Sequence, residues 1–453
     1  MIRRYESYKD SGVEWIGEIP EGWDVKKIKY LALGKDTLFL DGDWIESKDI
    51  VFDDSQIRYI TTGNVGEGKY KEQGLTYITE ETFKKLNCTE IFPDDLLISR
   101  LNPPIGRCCI VPELGNRIVT SVDNVVLRPD NIYQKSFLKY AMSNPRYYEY
   151  TSLIARGATM QRISRGLLGD VALPVTPEGE EQTAIALFLD RKTIEIDQLI
   201  ANKEKLIALF EEEKTAIINR AVTRGLDSAV KTKPSGVDWL GDIPEYWDVK
   251  RLKYLTLILN DGTHGTFKRT TLGYRLLSVR NIIKDEFMFL DDDSRISEED
   301  FDIITKPFLV AEGDLQLAIV GATLGKVAIV PKLDEKFATQ RSVATIRPKQ
   351  ELVHNKFLFY FLKSASFQSF LWLNAGFSAQ PGIYLGSLAS CHIPTPGLTE
   401  QTTIVTHIET ECSRLDTIID KFKKQIELFK EYRTTLISEV VTGKIDVRGE
   451  VEE

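Results

Sequence analysis

GNVGEGKY at 63–70 carries the glycine and lysine spacing of a phosphate-binding loop, GxxxxGK, and follows a strand-like run. Such a loop also needs Ser or Thr after the lysine to hold Mg²⁺, and a helix whose N-terminus faces the phosphates. Here Tyr70 and the non-periodic KEQGLTY follow, so the stretch reads as a turn. The five cysteines (Cys88, Cys108, Cys109, Cys391, Cys412) show no CxxC spacing, and the histidines at 264, 354, 392 and 407 form no HxxxH or HExxH pattern. No metal site, disulfide framework or catalytic Ser/His/Asp or Cys/His set is expected. Cys391 and His392, the one adjacent Cys/His pair, read as strand-end core residues.

LNPPIG at 101–106 has the Asn-Pro-Pro of loops in which an amide and a backbone carbonyl receive the amino group of a flipped adenine. Those loops end in an aromatic that stacks on the base. Ile105 stands there instead, and no glycine-rich cofactor loop follows an N-terminal strand. The stretch is read as a hairpin turn. Adenine N6-methyl transfer through Asn102 is the lesser alternative.

The elements that would position any site are duplicated. SGVEWIGEIPEGWDVKKIKYL at 11–31 and SGVDWLGDIPEYWDVKRLKYL at 235–255 share 15 of 21 positions, with five further conservative exchanges. EQTAIALFLDRKTIEIDQLI at 181–200 matches EQTTIVTHIETECSRLDTII at 400–419. The offsets are 224 and 219 residues. Between these ends the copies diverge, and only landmarks persist: Asp95 with Asp314, Gly106 with Gly325, Pro112 with Pro331, Arg128 with Arg347, Gln161 with Gln380. One fold carrying two different surfaces is the expectation.

The shared C-terminal segments predict long helices. Leu189, Ile196, Lys203, Phe210 and Ile217 recur every seven residues, as do Ile408, Leu415, Phe422, Phe429 and Leu436. Second seam positions are read at Leu199, Ile200, Leu206 and Ile207, and at Ile418, Ile419, Ile426 and Val440. A heptad held this long favours two antiparallel coiled-coil helices in a pseudo-two-fold molecule. The variable regions read as α+β. Strands are predicted at 57–65, 95–100, 107–113 and 121–129, and at 274–282, 314–320, 326–332 and 342–348; helices follow at 135–154 and 355–374.

The 453 residues carry a formal charge of -9, which by itself argues against a phosphate-backbone partner. The charge is unevenly spread. Residues 100–169 hold ten Lys+Arg against four Asp+Glu, and 316–390 hold eight against three, each after an acidic stretch. Arginine both clamps phosphates and reads guanine bidentately. Candidate DNA contacts are therefore Arg58, Asn64, Lys69, Arg100, Arg107, Arg156, Gln161, Arg162 and Arg165 in the first copy. In the second they are His264, Lys268, Arg269, Arg275, Arg280, Asn281, Lys326, Gln340, Arg341 and Gln380. Arg128 and Arg347, paired across the copies, are expected to be structural. No apolar run approaches the ~18 residues of a membrane span, and MIRRYESYKD lacks a signal-peptide core, so a cytoplasmic protein without membrane contact is expected.

The two opening segments, the turns PVTPEGEEQ and PTPGLTEQ, and the paired heptad helices together resemble the specificity subunit of type I restriction-modification systems across nearly the whole chain. That resemblance implies target-recognition domains at 1–176 and 235–396, spacer helices at 177–225 and 397–444, a linker at 226–234 and a polar tail at 445–453. It implies no catalytic site, and double-stranded DNA bound at a split asymmetric site, one half per domain, with helix length setting the gap. Implied partners are two methyltransferase (modification) subunits and translocating endonuclease (restriction) subunits. No cofactor is implied for this chain; S-adenosylmethionine belongs to the methyltransferase, ATP and Mg²⁺ to the endonuclease. A scaffold whose two variable domains bind proteins is the alternative from another class.

Overall fold

Each conserved opening segment folds onto the strand that feeds a long helix, which explains why the two ends of a copy are conserved together. Asp24–Lys27 pairs antiparallel with Ala172–Val175, and Asp248–Arg251 with His392–Thr395. Small ribbons precede these pairs: Tyr8–Asp10 with Glu18–Pro20, and Thr232–Pro234 with Asp242–Pro244. The computed structural model describes residues 3–52, 57–377 and 380–450. By packing, the chain forms two units: Met1–Lys203 with Lys424–Glu453, and Glu204–Lys423.

In the first unit a four-stranded antiparallel sheet runs in the order Leu38–Asp41, Asn124–Arg128, Leu96–Ser99, Cys108–Ile110. A second sheet sets Ile57–Ile60 between Tyr77–Ile78 and Arg117–Thr120, the latter in parallel. Leu96, Ile98, Val125 and Leu127 alternate onto one face of the larger sheet and pack on Phe137, Leu138 and Tyr147. Leu97, Cys109 and Val126 face the other way, toward Ile60, Ile91 and Ile118.

The second unit repeats this plan. Thr256–Asp261, Val343–Pro348, Leu315–Ala318 and Val327–Ile329 are consecutive neighbours in a sheet extended by the short strands Glu286–Phe287 and Ile282–Ile283. Tyr274–Leu277 lies between Arg295–Ile296 and Phe337–Thr339, again with the latter in parallel. The edge strands Leu38–Asp41 and Thr256–Asp261, and the parallel strands at Arg117 and Phe337, were not predicted. The parallel strands are only four and three residues long, whereas the edge strands LFLD and TLILND carry apolar residues but pair on one side only.

The regions read as single helices at 135–154 and 355–374 are each two helices. Lys135–Ala141 ends before Asn144, whose side chain accepts from the Arg146 amide 3.0 Å away, with Pro145 opening the next helix. Asn-Pro is an N-cap followed by a residue suited to the first turn, and it restarts a helix rather than continuing one. Ser364 does the same between Asn355–Lys363 and Ala365–Leu373.

The long helices span Gly179–Arg224 and Leu398–Val441. In the first unit Ile185, Leu189, Ile196 and Ile200 pack with Phe429, Leu436, Ile437 and Val440. In the second unit Phe210 meets Phe422 with ring centroids 6.0 Å apart, and Ile218 and Val222 share a core with Ile404 and Ile408. Within each unit, residues further along one helix meet residues earlier in the other, so the pairing is antiparallel. Leu415 is buried in the seam, and Ile217 is half-buried. Leu199 and Leu206, read as seam residues, are exposed; the seam passes through Ile200 and Ile207, one position on. The segment read as a polar tail folds back: Val447 is buried in the first unit, and the Asp446 amide donates to the Arg3 carbonyl at 3.0 Å.

Candidate DNA-recognition surface

The frame beneath the variable surfaces is built twice from the same bonds. Trp23 Nε1 donates to Glu181 at 3.2 Å, and Trp247 Nε1 donates to Glu400 at 3.2 Å. Each indole is buried, and each rests on the glycine that ends a long helix with positive φ, Gly443 at +71° and Gly225 at +72°. A side chain at either glycine would require a strained backbone, and at Gly443 it would also enter Pro20. Gln182 accepts from the Gln134 amide at 2.8 Å and donates to the Thr176 carbonyl; Gln401 accepts from the His354 amide at 2.7 Å and donates to the Pro396 carbonyl. These contacts bind the sheet domain to the helix start.

Arg128 and Arg347 are structural, as expected. Arg128 donates through Nε and Nη2 to both oxygens of buried Asp95 at 2.7 and 2.6 Å, and Arg347 does the same to Asp314 at 2.7 and 2.7 Å. The forked carboxylate raises both guanidinium pKa values.

Several residues read as DNA contacts are instead held by their own domain. Arg58, buried, donates to the Gly74 and Thr76 carbonyls and pairs with Glu72 at 3.0 Å. Asn64 accepts from the Thr61 amide and donates to the carbonyls of Lys71 and Gln73. Asn281 closes the equivalent turn, accepting from the Ser278 amide and donating to the Met288 carbonyl. Arg107 donates to the carbonyls of Thr62, Val65, Leu101 and Asn102, and burial lowers its pKa. Arg275 joins Glu335 and Asp293 at 3.1 Å each. Of these only Arg107 lies in one of the two basic regions, and sequence alone could not show which way any of them points.

The two tempting loops are turns. Gly66 donates to the Lys69 carbonyl, Gly68 to the Cys108 carbonyl, and Lys69 Nζ reaches Asp197 on the long helix at 2.6 Å. The next described helix is Glu80–Leu86, too far along to cap a phosphate site. LNPPIG connects Leu96–Ser99 to Cys108–Ile110, with Asn102 and Gly106 at φ of 59° and 81°. VGATLG makes the equivalent connection through Gly321 and Gly325.

Some of the remaining candidates come together on loops in each unit. In the first unit, Arg162 pairs with Asp123 at 2.8 Å and Arg165 with Asp41 at 3.6 Å, both arginines roughly half exposed. Arg100 lies beneath them, 3.2 Å from Asp41 and donating to the Val122 carbonyl; burial lowers its pKa. Arg156 and Gln161 sit on the same loop: Arg156 exchanges backbone bonds with Arg162, and the Gln161 carbonyl accepts from the Asn102 amide at 3.0 Å. In the second unit His264 lies 2.6 Å from Asp261 beside exposed Arg341, Gln380 and Tyr384. Lys268, Arg269 and Lys326 are exposed, Gln340 is half-buried, and Arg280 pairs with Asp292 at 2.9 Å. The Gln161–Gln380 correspondence is displaced by one position. The Gly321 amide donates to the Pro381 carbonyl, so Pro381 occupies the place of Gln161.

Asp41, Asp123 and Asp261 were missed as parts of this surface. The available signal was the Asp-Gly dipeptide at both 41–42 and 261–262. Gly42 and Gly262 lie so close to the backbone of Thr120–Ser121 and Thr339–Gln340 that a Cβ would stand 2.4 and 2.2 Å from a carbonyl oxygen.

The same α+β frame is built twice on the same tryptophan, glutamine and arginine anchors, and between them the two copies carry unlike sequences and unlike loop surfaces. Residues 279–428 match the family model described as "Type I restriction modification DNA specificity domain". The chain is 26% identical to the putative type I restriction enzyme MjaX specificity subunit of Methanocaldococcus jannaschii, over 99% of this chain and 100% of that one. It is 25% identical to the EcoBI specificity subunit of Escherichia coli over 80% of this chain and 76% of the other. Its fold matches a solved chain from work on complex assembly and conformational transition of the type I R-M system, with TM-score 0.69, 13% identity and coverage of 94% and 99%. It also matches the HsdS subunit from Thermoanaerobacter tengcongensis, with TM-score 0.56, 14% identity and coverage of 94% and 98%. Residues 279–428 thus match a type I restriction-modification DNA specificity domain, and over nearly its whole length the chain is similar to type I restriction enzyme specificity subunits. Among the described residues, no helix is long and apolar enough to cross a membrane.

Proposed function

We propose that this chain is the DNA sequence-recognition subunit of a type I restriction-modification complex. It binds a bipartite, asymmetric site, one half per variable domain, and performs no chemistry on the DNA itself. The observation that carries the reading is a conserved set of anchors, Trp23–Glu181 and Trp247–Glu400 among them, supporting loop clusters whose side chains differ between copies. Two identical surfaces would read a symmetric site; two unlike surfaces on one frame suit an asymmetric one. Its relatives' naming as specificity subunits supports assembly with two methyltransferase subunits and with endonuclease subunits. On this reading S-adenosylmethionine is the methyltransferase's cofactor, and ATP and Mg²⁺ the endonuclease's.

The test is binding of duplex DNA by the chain assembled with its methyltransferase, followed as salt is raised. Sequence-selective binding with a steep fall in affinity is expected, because released counterions set the slope. Absence of sequence-selective binding overturns the proposal.

A further inference from the structure

One patch of the two variable domains has the same backbone and opposite chemistry. In the first unit the Ile163 amide donates to the Arg100 carbonyl at 3.0 Å, and Leu101 forms a bridge with Arg162. In the second the Ile383 amide donates to the Ile319 carbonyl at 3.0 Å, and Val320 bridges Gly382. The Asp-Gly turn closes the patch in both, through Asp43 to the Thr120 carbonyl and Thr263 to the Thr339 carbonyl, each at 2.8 Å. Arg100, Arg162 and Arg165 of the first unit therefore correspond in place to Ile319, Gly382 and Leu385 of the second. Three arginines fill the first patch. In the second their replacement leaves a cleft of about 470 Å³, lined by Ile319, Val320, Ile383 and Leu385, with Asp261, His264, Arg341 and Gln380 also around it.

We propose that this patch is the specificity subsite of each domain. In the first, Arg162 and Arg165 present two forks that Asp123 and Asp41 hold in position. The two arginines are half exposed and each is paired to a half-buried carboxylate by a single contact, so guanine O6 and N7 can replace the carboxylates. Arg100 positions Asp41 from below. In the second, the apolar floor of Ile319 and Leu385 accepts the C5-methyl of thymine, the one apolar group on a base edge in the major groove. The two half-sites then differ in character, with guanine read in the first and an A·T pair in the second.

This inference rests on the proposed function, and one experiment separates the two. The full chain, assembled with its methyltransferase, is used to select binders from a randomised duplex library. Wild type yielding no split motif would refute the proposed function itself. Given a split motif, Arg162→Ala/Arg165→Ala is expected to make one or two guanine positions of a single half-site degenerate. Affinity for the original motif should fall roughly 10- to 100-fold, with the other half unchanged. Leu385→Arg, which fills the cleft, is expected to change only the other half. Arg162→Lys/Arg165→Lys keeps the charge but not the fork. It should retain the salt dependence while losing guanine preference, and so separates base reading from assembly. An unchanged motif in the alanine variant, or changes in both halves, would overturn the assignment.

Discussion

Arg433 lies 3.0 Å from Asp197 in the first unit, and this ion pair is made again in the second by Lys214 and Asp416, each 219 positions from its counterpart. Arg433 and Lys214 occupy seam positions where most residues are apolar. A half-buried cation in a helix seam is costly to leave without its carboxylate, so the pairs favour this register of the two helices.

Charge reversal tests that register. Asp197 also binds Lys69, so the cleaner pair is in the second unit. Lys214→Glu is expected to cost about 1 kcal/mol, a fall of roughly 2–4 °C in Tm, and Asp416→Lys in the same chain to restore most of it. Thermal unfolding of the two variants and the double variant provides the measurement. No recovery in the double variant would contradict the antiparallel register.

Asp95 and Asp314 are predicted to matter for stability and not for base choice. Each is buried and accepts a two-point contact from an arginine. Asp95→Asn or Asp314→Asn is expected to cost about 2–3 kcal/mol, because one charged hydrogen bond is lost and the guanidinium is left partly unpaired. Denaturant unfolding gives the cost, and the recognised motif should be unchanged at permissive temperature.

Glu335 gives a pH dependence. Partial burial acts to raise its pKa, but the contacts from Arg295 and Arg275 outweigh it and leave the carboxyl below the usual glutamate range. A pKa depressed on folding stabilises the folded state above the ordinary glutamate value, and that contribution is lost as pH falls through the lower folded value. Glu335→Gln should therefore be less stable than wild type near neutrality, with the difference closing in acid. Melting curves between about pH 3 and 7 test the sign.

Lys268 and Arg269 are exposed on the loop that follows His264, with Arg269 Nη1 donating to the Phe267 carbonyl at 3.1 Å, and are suited to phosphates. Substituting both with alanine is expected to weaken binding to all duplexes alike and to reduce the salt slope by about 1 per residue, without altering the motif. A changed motif would make them base readers.

The duplication, the long helices and the central strands were legible because repeated identities and heptad spacing are properties of order along the chain. Arg128 and Arg347 were legible as structural residues because they recur in both copies. Orientation was not legible. Arg58 and Arg165 are alike in sequence, yet the first lies on a central strand and turns inward to Glu72, whereas the second begins a short exposed helix. The Asp-Gly turns were overlooked because their role depends on close approach to Thr120 and Thr339, which are distant along the chain.

The central claim is that one chain reads two unlike half-sites. Methylation-aware sequencing of DNA from cells expressing this chain with its methyltransferase partner tests it most directly. The expected result is adenine modification at a single split motif, with two different defined halves around an unspecified gap. A continuous motif, a symmetric one, or no modification dependent on this chain would contradict it.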